Sequence, residues 1–255
     1  MNNPAKVALF DIETAPNLGW VWGKWDQTVI SFEKNWYMMS YSMKWLGQKE
    51  IHTVQLPDFP RYNYDMEDDK RLVKSLWKVL DEADVVIAHN GDKFDIRKAN
   101  ARFIAHGLAP PSPYKTIDTL KVARRYFKFD SNRLHDLGNY LGVGGKLMEH
   151  IDHKIWRKCM NGCLKSWKLE KKYNERDVDL LERVYLKMRP WMATHPDLDM
   201  FTRRGACPTC ESPRITAQGF KLTKTGKRQQ YKCLDCGGWH SSKIHIREVG
   251  RPKPK

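Results

Sequence analysis

The chain has 255 residues, with 45 Lys and Arg against 30 Asp and Glu, for a formal net charge of +15. That length accommodates one large domain or a medium domain beside a small one, and the charge favours an anionic partner. Nucleic acid is the better candidate than membrane because no basic amphipathic helix stands out. No run of eighteen apolar residues occurs, and the opening "MNNPAKVALF" lacks the charged and apolar regions of a signal peptide, so the expectation is a cytoplasmic protein with no membrane partner.

Residues 5–56 read as strands: "KVALFDI", a Trp-rich "GWVWGKWDQTVISF", then "WYMMSYSMKWL" and "EIHTVQL", all aromatic and β-branched, expected as antiparallel neighbours. In "EDDKRLVKSLWKVLDEA" the residues Leu72, Leu76, Val79, Leu80 and Ala83 share one helical face, and "DVVIAHN" follows as a short buried strand. A helix "DKFDIRKANARFIAHG" ends at Gly107, and "LAPPSP" leads to a strand "YKTI". Asp118 is placed to cap the helix "TLKVARRYF". Helices "NRLHDLGNYLG" and "EHIDHKIWRKC" come next, then a long one from about Leu164 to Met188. A strand-rich front followed by alternating helices and strands predicts an α/β layer fold with a mixed sheet, whose sites gather at strand ends.

In "ALFDIETAP" the strand places Asp11 and Glu13 on one face, where like charges raise each other's pKa unless a cation lies between them. The alternative is a frayed strand end with both acids hydrated. Asp95, after "VVIAHN", could reach that strand end, or could serve only as a first-turn acid favoured by the helix dipole. On the long helix Tyr173 and Asp177 stand four apart and share a face, although Asp177 could equally be a solvated charge among Glu175, Asp179 and Glu182.

The blocks "FDIET", "HNGDKFD" and "YNERDVDLL", in this order, resemble the three motifs of the DEDD 3′–5′ exonuclease superfamily, proofreading-type nucleases with a ribonuclease H-like fold. The resemblance spans residues 5 to 190. It implies that Asp11, Glu13, Asp95 and Asp177 hold two Mg²⁺ or Mn²⁺ ions and that Tyr173 is the third-motif tyrosine. The sister branch carries a histidine where this chain has Lys172, so the likeness is to the tyrosine branch. "TIDTLKVAR" and "SNRLHDLGNYLGVGGK" add a weaker similarity to family-B polymerase exonuclease domains. Hard carboxylate oxygens suit such ions, and a phenol with a reference pKa of about 10 orients the attacking water better than it deprotonates it.

Other candidates are weaker. "LGVGGKL" fails as a phosphate loop because Leu147 follows Gly145 and Lys146 where Ser or Thr is needed. Cys159 and Cys163 read as ordinary thiols, and His89, His135, His150 and His153 as structural. Asp118 reads as a cap ahead of a metal ligand.

From Phe201 onward thirteen Lys and Arg face three Asp and Glu, ten of the fifteen net charges. Cys207 and Cys210 in "CPTC" and Cys233 and Cys236 in "CLDC" have twenty-two residues between the pairs, a pattern for one structural zinc ion on four thiolates. Two strand-like runs joined at "KTGK" fit a zinc ribbon, and the tail resembles ribbons of transposase-like and other DNA-associated proteins. Lys221, Lys224, Lys227, Arg228 and Lys232, with Tyr231 and Trp239, could contact phosphates and bases; docking to a polymerase or other replication or repair assembly is the alternative.

The expected organisation is therefore an exonuclease domain over 1–200, a zinc ribbon over 201–248 and a basic tail over 249–255. The resemblance implies hydrolysis of single-stranded DNA 3′ ends to nucleoside 5′-monophosphates. An exoribonuclease of the same fold and a non-catalytic DNA-end-binding protein are the rivals, and with no room for a polymerase any proofreading would act in trans.

Overall fold

The computed structural model describes residues 4–25, 28–145, 154–202, 205–224 and 226–242. It divides into two compact units, one spanning Lys6–Tyr185 and the other built chiefly from residues beyond Leu186.

The first unit begins with β1 (Val7–Thr14). A short hairpin follows, β2 (Leu18–Trp20) and β3 (Ser31–Lys34). Then come β4 (Met38–Trp45) and β5 (His52–Gln55), α1 (Lys70–Glu82), β6 (Val85–Ala88) and α2 (Asp95–Ala105). β7 (Lys115–Asp118), α3 (Thr119–Tyr126), α4 (Leu134–Tyr140), α5 (Lys154–Met160) and α6 (Leu164–Met188) complete it. The main sheet has five strands in the order β5-β4-β1-β6-β7. β4 is antiparallel to β1 and β5, while β1, β6 and β7 are parallel. The result is the expected mixed α/β sheet flanked by helices.

β1 lies in the middle and is covered on both faces, which is why "VALF" is an unbroken apolar run. Ala8, Phe10 and Ile12 pack in one cluster with Leu72, Leu76 and Leu80 of α1 and Ala99 and Phe103 of α2. On the opposite face Leu9 is paired in register with Lys44, whose ammonium meets Glu182 of α6 at 2.5 Å. The odd-numbered residues of β1, Asp11 and Glu13 among them, therefore share the face that meets α6.

One segment departs from expectation. "GWVWGKWDQTVISF" does not join the sheet: β2 and β3 pair only with each other, so both of their faces stay open and Trp20, Trp22 and Trp25 are 61%, 86% and 85% exposed. The helix expected at "EHIDHKIWRKC" is described from Lys154 onward; its first five residues, His150 and His153 included, lie outside the described residues. Asp118 caps α3 as expected, its Oδ1 accepting from the amides of Leu120, Lys121 and Asn90. His89 is tied to the Thr119 hydroxyl and the Asn132 carbonyl, a structural role.

In the second unit α7 (Asp199–Thr202) precedes a three-stranded antiparallel sheet in the order β10-β9-β8, from β8 (Ile215–Thr223), β9 (Gly226–Cys233) and β10 (Trp239–Ser241). The third strand extends the expected hairpin. Among the described residues no helix is long and apolar enough to cross a membrane.

Candidate functional site

β6 stops pairing with β1 at Leu9, so the strand edge beyond it is open on that side. Asp95 fills the opening. Asn90 adopts φ +64°, and Gly91 leaves room beside Ala88, where a Cβ would fall 2.4 Å from the alanine methyl. This tight turn starts α2 so that buried Asp95 accepts from the Ile12 amide at 3.2 Å.

α6 supplies the other wall. Glu170, Tyr173, Asn174 and Asp177 recur at helical spacing on one face. Asn174 reaches Asp11 at 3.4 Å, and the Tyr173 hydroxyl donates to Asp177. Trp156 of α5 donates its indole N–H to Glu13 at 3.0 Å and packs edge-on against Tyr173, with ring centroids 6.0 Å apart. Beneath them a polar rung crosses three strands, because Glu13 pairs with Ser40 and Ser40 with Gln55. Ser40 and Gln55 both hold the Glu170 carboxylate.

The electrostatics follow from this crowding. Burial, followed by the charges of Asp95, Glu13 and Asp177, raises Asp11 well above the usual carboxylate range. Burial and the Glu170 charge raise Glu13 to about 8, against the Trp156 hydrogen bond. Burial first, with the charge of Asp118 beside one and of Asp58 beside the other, carries Asp95 to about 7 and Glu170 to about 7, in each case against the hydrogen bonds they accept. It carries Asp177 to about 6, opposed by the Tyr173 hydroxyl. Tyr173 is itself pushed up by burial and by the neighbouring acids.

Carboxylates crowded this closely favour a bound divalent cation, which would relieve both repulsion and desolvation. Their oxygens are hard ligands of the kind Mg²⁺ and Mn²⁺ take. Among the described residues their ligand atoms do not form the tight group that the cysteines do. Two ions about 4 Å apart call for a wider cage than one ion.

The structure thus brings together Asp11, Glu13, Asp95, Tyr173 and Asp177 from elements far apart in sequence. Sequence reasoning missed Glu170, Asn174 and Trp156. Extending the Tyr173/Asp177 spacing one turn back along α6 would have found Glu170, and "MMSYSMKW", with its polar residues on one side of a buried strand, signals the rung. No sequence signal marks Trp156.

In the second unit the sulfurs of Cys207, Cys210, Cys233 and Cys236 lie within 4.8 Å of one another. Cys207 to Cys236 is 3.8 Å and Cys210 to Cys233 is 3.7 Å. A tetrahedral site with zinc–sulfur bonds of about 2.3 Å sets its sulfurs about 3.8 Å apart. The residue after each CxxC is left-handed, Glu211 at φ +58° and Gly237 at φ +76°, and its amide returns to the carbonyl of the first cysteine of its pair. The donor set and geometry are compatible with a zinc ribbon.

The ribbon's basic residues divide between two faces. Lys221 pairs with Arg228 and Lys232 with Trp239, so these four share a face, with the Lys232 ammonium 5.9 Å from the Trp239 ring centroid. Lys227 and Tyr231 point to the other, where Tyr231 stacks on His240. Lys224 is in the turn.

A family model of the RNase_H superfamily matches residues 45–189. The chain belongs to the RNase_H superfamily. The match starts at Trp45, after the segment that carries Asp11 and Glu13. No curated protein matches this superfamily member. Among solved structures it is similar to the family B DNA polymerase from the hyperthermophilic archaeon Pyrobaculum calidifontis, at 13% identity and a TM-score of 0.49, covering 88% of this chain. The likeness covers 32% of the polymerase chain, so this chain spans about a third of that protein's length. An RNase H-like fold suggests a nuclease acting on nucleic acid with divalent metal.

Proposed function

We propose that the protein is a metal-dependent 3′–5′ exonuclease of the tyrosine branch of the DEDD superfamily, acting on single-stranded DNA ends. The observation that carries this reading is the convergence of Asp11, Glu13, Asp95 and Asp177, from β1, α2 and α6, in a cluster where burial and the neighbouring acids raise the pKa of Asp11 and Glu13. Two Mg²⁺ or Mn²⁺ ions held there would neutralise the phosphodiester oxygens and lower the pKa of a bound water.

The chain's own side chains do the rest. Tyr173, kept protonated by burial beside the acids, orients the attacking water through its hydroxyl and does not act as the base. Asn174 and Trp156 fix the rotamers of Asp11 and Glu13, so that the ligand oxygens are set before substrate arrives. The ribbon, folded on one zinc ion, tethers the substrate through Lys221, Arg228, Lys232 and Trp239, whose cations pair with phosphates and whose indole stacks on a base. A role beside a polymerase or replication assembly is consistent with an enzyme of this kind.

The test is a single-stranded DNA labelled at its 5′ end and incubated with Mg²⁺. The expected product is a ladder of labelled strands shortened one nucleotide at a time, with release of nucleoside 5′-monophosphates. Early release of the label as a mononucleotide would reverse the polarity, and faster digestion of a matched RNA would reassign the substrate.

A further inference from the structure

A cleft of about 490 Å³ is lined by Thr14–Asn17, the residues that follow Glu13, by Trp36, and by Trp156, whose indole N–H binds Glu13. Its size falls within the range of about 300–1,000 Å³ typical of small-ligand sites. Two cations line it, Lys98 and Arg157, and among the described residues neither has an acidic partner.

Lys98 is held in place. Its ammonium lies 3.8 Å from the centroid of the Trp36 ring and 3.4 Å from the Thr14 hydroxyl. Trp36 is itself anchored, its amide donating to Asn17 Oδ1 at 2.8 Å. An ammonium has three donors, so the Thr14 contact leaves others to point into the cleft. Lys98 also stands three residues after Asp95 on the same face of α2, within one helical turn of about 5.4 Å from a carboxylate of the cluster. A cation fixed by an aromatic face, with spare donors and no counter-ion, is organised to receive an anion. The aromatic walls suit a flat ring beside that anion. A cleft with cations on its wall, and with an indole hydrogen-bonded to Glu13 as one of its lining groups, fits a polyanion whose end is drawn to metal at the neighbouring acids.

We propose that this cleft seats the nucleotide next to the one being removed, with Lys98 and Arg157 as ligands of its phosphate and the two indoles as walls for its base. The proposal rests on the exonuclease reading for its orientation, and Trp36 both lines the cleft and holds Lys98 on its ring.

The test uses the full, zinc-loaded chain and a labelled oligothymidylate, with binding measured by fluorescence anisotropy over a range of salt without added Mg²⁺. Lys98→Met keeps the stem that packs on Trp36 and removes the charge. It should weaken binding by about tenfold and reduce the slope of log K against log salt by about 0.7, one phosphate contact. Lys98→Arg should restore both, and in steady state Lys98→Met should act chiefly on KM. Unchanged affinity and salt slope in Lys98→Met, with stepwise shortening by the wild type intact, would overturn the cleft assignment and leave the exonuclease reading standing. If the wild type shortens nothing with any metal, the exonuclease reading fails, and an unaltered Lys98→Met slope would then sink both. Equal losses in Lys98→Met and Lys98→Arg would also overturn the proposal, since a phosphate contact survives the conservative change.

Discussion

Asp95 is 2% exposed and rests against a core that includes Ile12, Ala99 and Phe103, whereas Cys233 is 0% exposed on a strand whose other residues are only half-buried. In the first unit the packed sheet and helices hold the acids together against their own repulsion. Desolvation and like charge are costs that the hydrophobic core offsets, so this unit should fold without metal. In the ribbon the cysteines make up much of what is interior, and β8 is exposed over most of its length. There a metal held by the four thiolates would supply the folding free energy that a core supplies elsewhere. Metal should therefore tune the first unit and make the second.

The contrast is broken most directly by removing zinc. Cys207→Ser should cost the ribbon most of the binding energy of about 10 kcal/mol or more that such sites contribute. Zinc content should drop and the amide signals of β8 to β10 should collapse, with the cooperative unfolding of residues 6–185 unchanged. Loss of that second transition as well would contradict two separately supported units.

The next effect concerns the core of the first unit without its acids. Lys44 and Glu182 form a buried pair at 2.5 Å between β4 and α6. Lys44→Met strands a buried carboxylate and should lower the stability of this unit in urea by about 3 kcal/mol. A change close to zero would mean that the pair is hydrated in solution.

A smaller effect links pH and metal. Glu13, Asp95, Glu170 and Asp177 have folded pKa values of about 8, 7, 7 and 6. An unfolded carboxyl lies near about 4. The folded unit binds protons more tightly, so the stability they contribute is complete below pH of about 4 and is lost as pH rises toward about 8. Without divalent ion the melting temperature of the first unit should fall over that window. Saturating Mn²⁺ at the alkaline end should recover roughly 5–10 °C. A melting temperature that rises from pH 4 to pH 8 without metal would contradict the crowded-acid description.

The smallest effect sharpens the ribbon itself. Joint replacement of Lys221, Arg228 and Lys232 by Ala should lower the salt slope of DNA binding by about 2, and Lys227→Ala should leave it unchanged. Equal effects per residue would mean that both faces meet the strand.

Much of the architecture is legible in the sequence because its signals are local. Continuous apolar "VALF" reads as a strand, the leucine spacing of α1 as an amphipathic helix, and paired CxxC as a four-thiolate cluster. Asp11, Glu13, Asp95 and Asp177 stand out only as a set, since each alone has an ordinary structural explanation. Their companions are hidden for a physical reason. Trp156 reaches Glu13 across 143 positions of sequence and Lys98 settles on Trp36 from another element, contacts that periodicity does not encode. The Trp-rich hairpin misleads because β propensity marks a strand without naming its partner.

The central claim is that the carboxylate cluster is a metal-dependent nuclease centre. It is tested most directly by the cleavage of one single-stranded DNA by the wild type and by Asp11→Asn, each with Mg²⁺ and with no added divalent ion. Removal of one charged ligand should abolish several kcal/mol of metal-dependent stabilisation, a loss of about a thousandfold or more, in a protein that still melts as the wild type does. Wild-type cleavage only with Mg²⁺, and almost none in the folded variant, is the predicted result. Comparable turnover by Asp11→Asn, or cleavage indifferent to metal, would contradict the account.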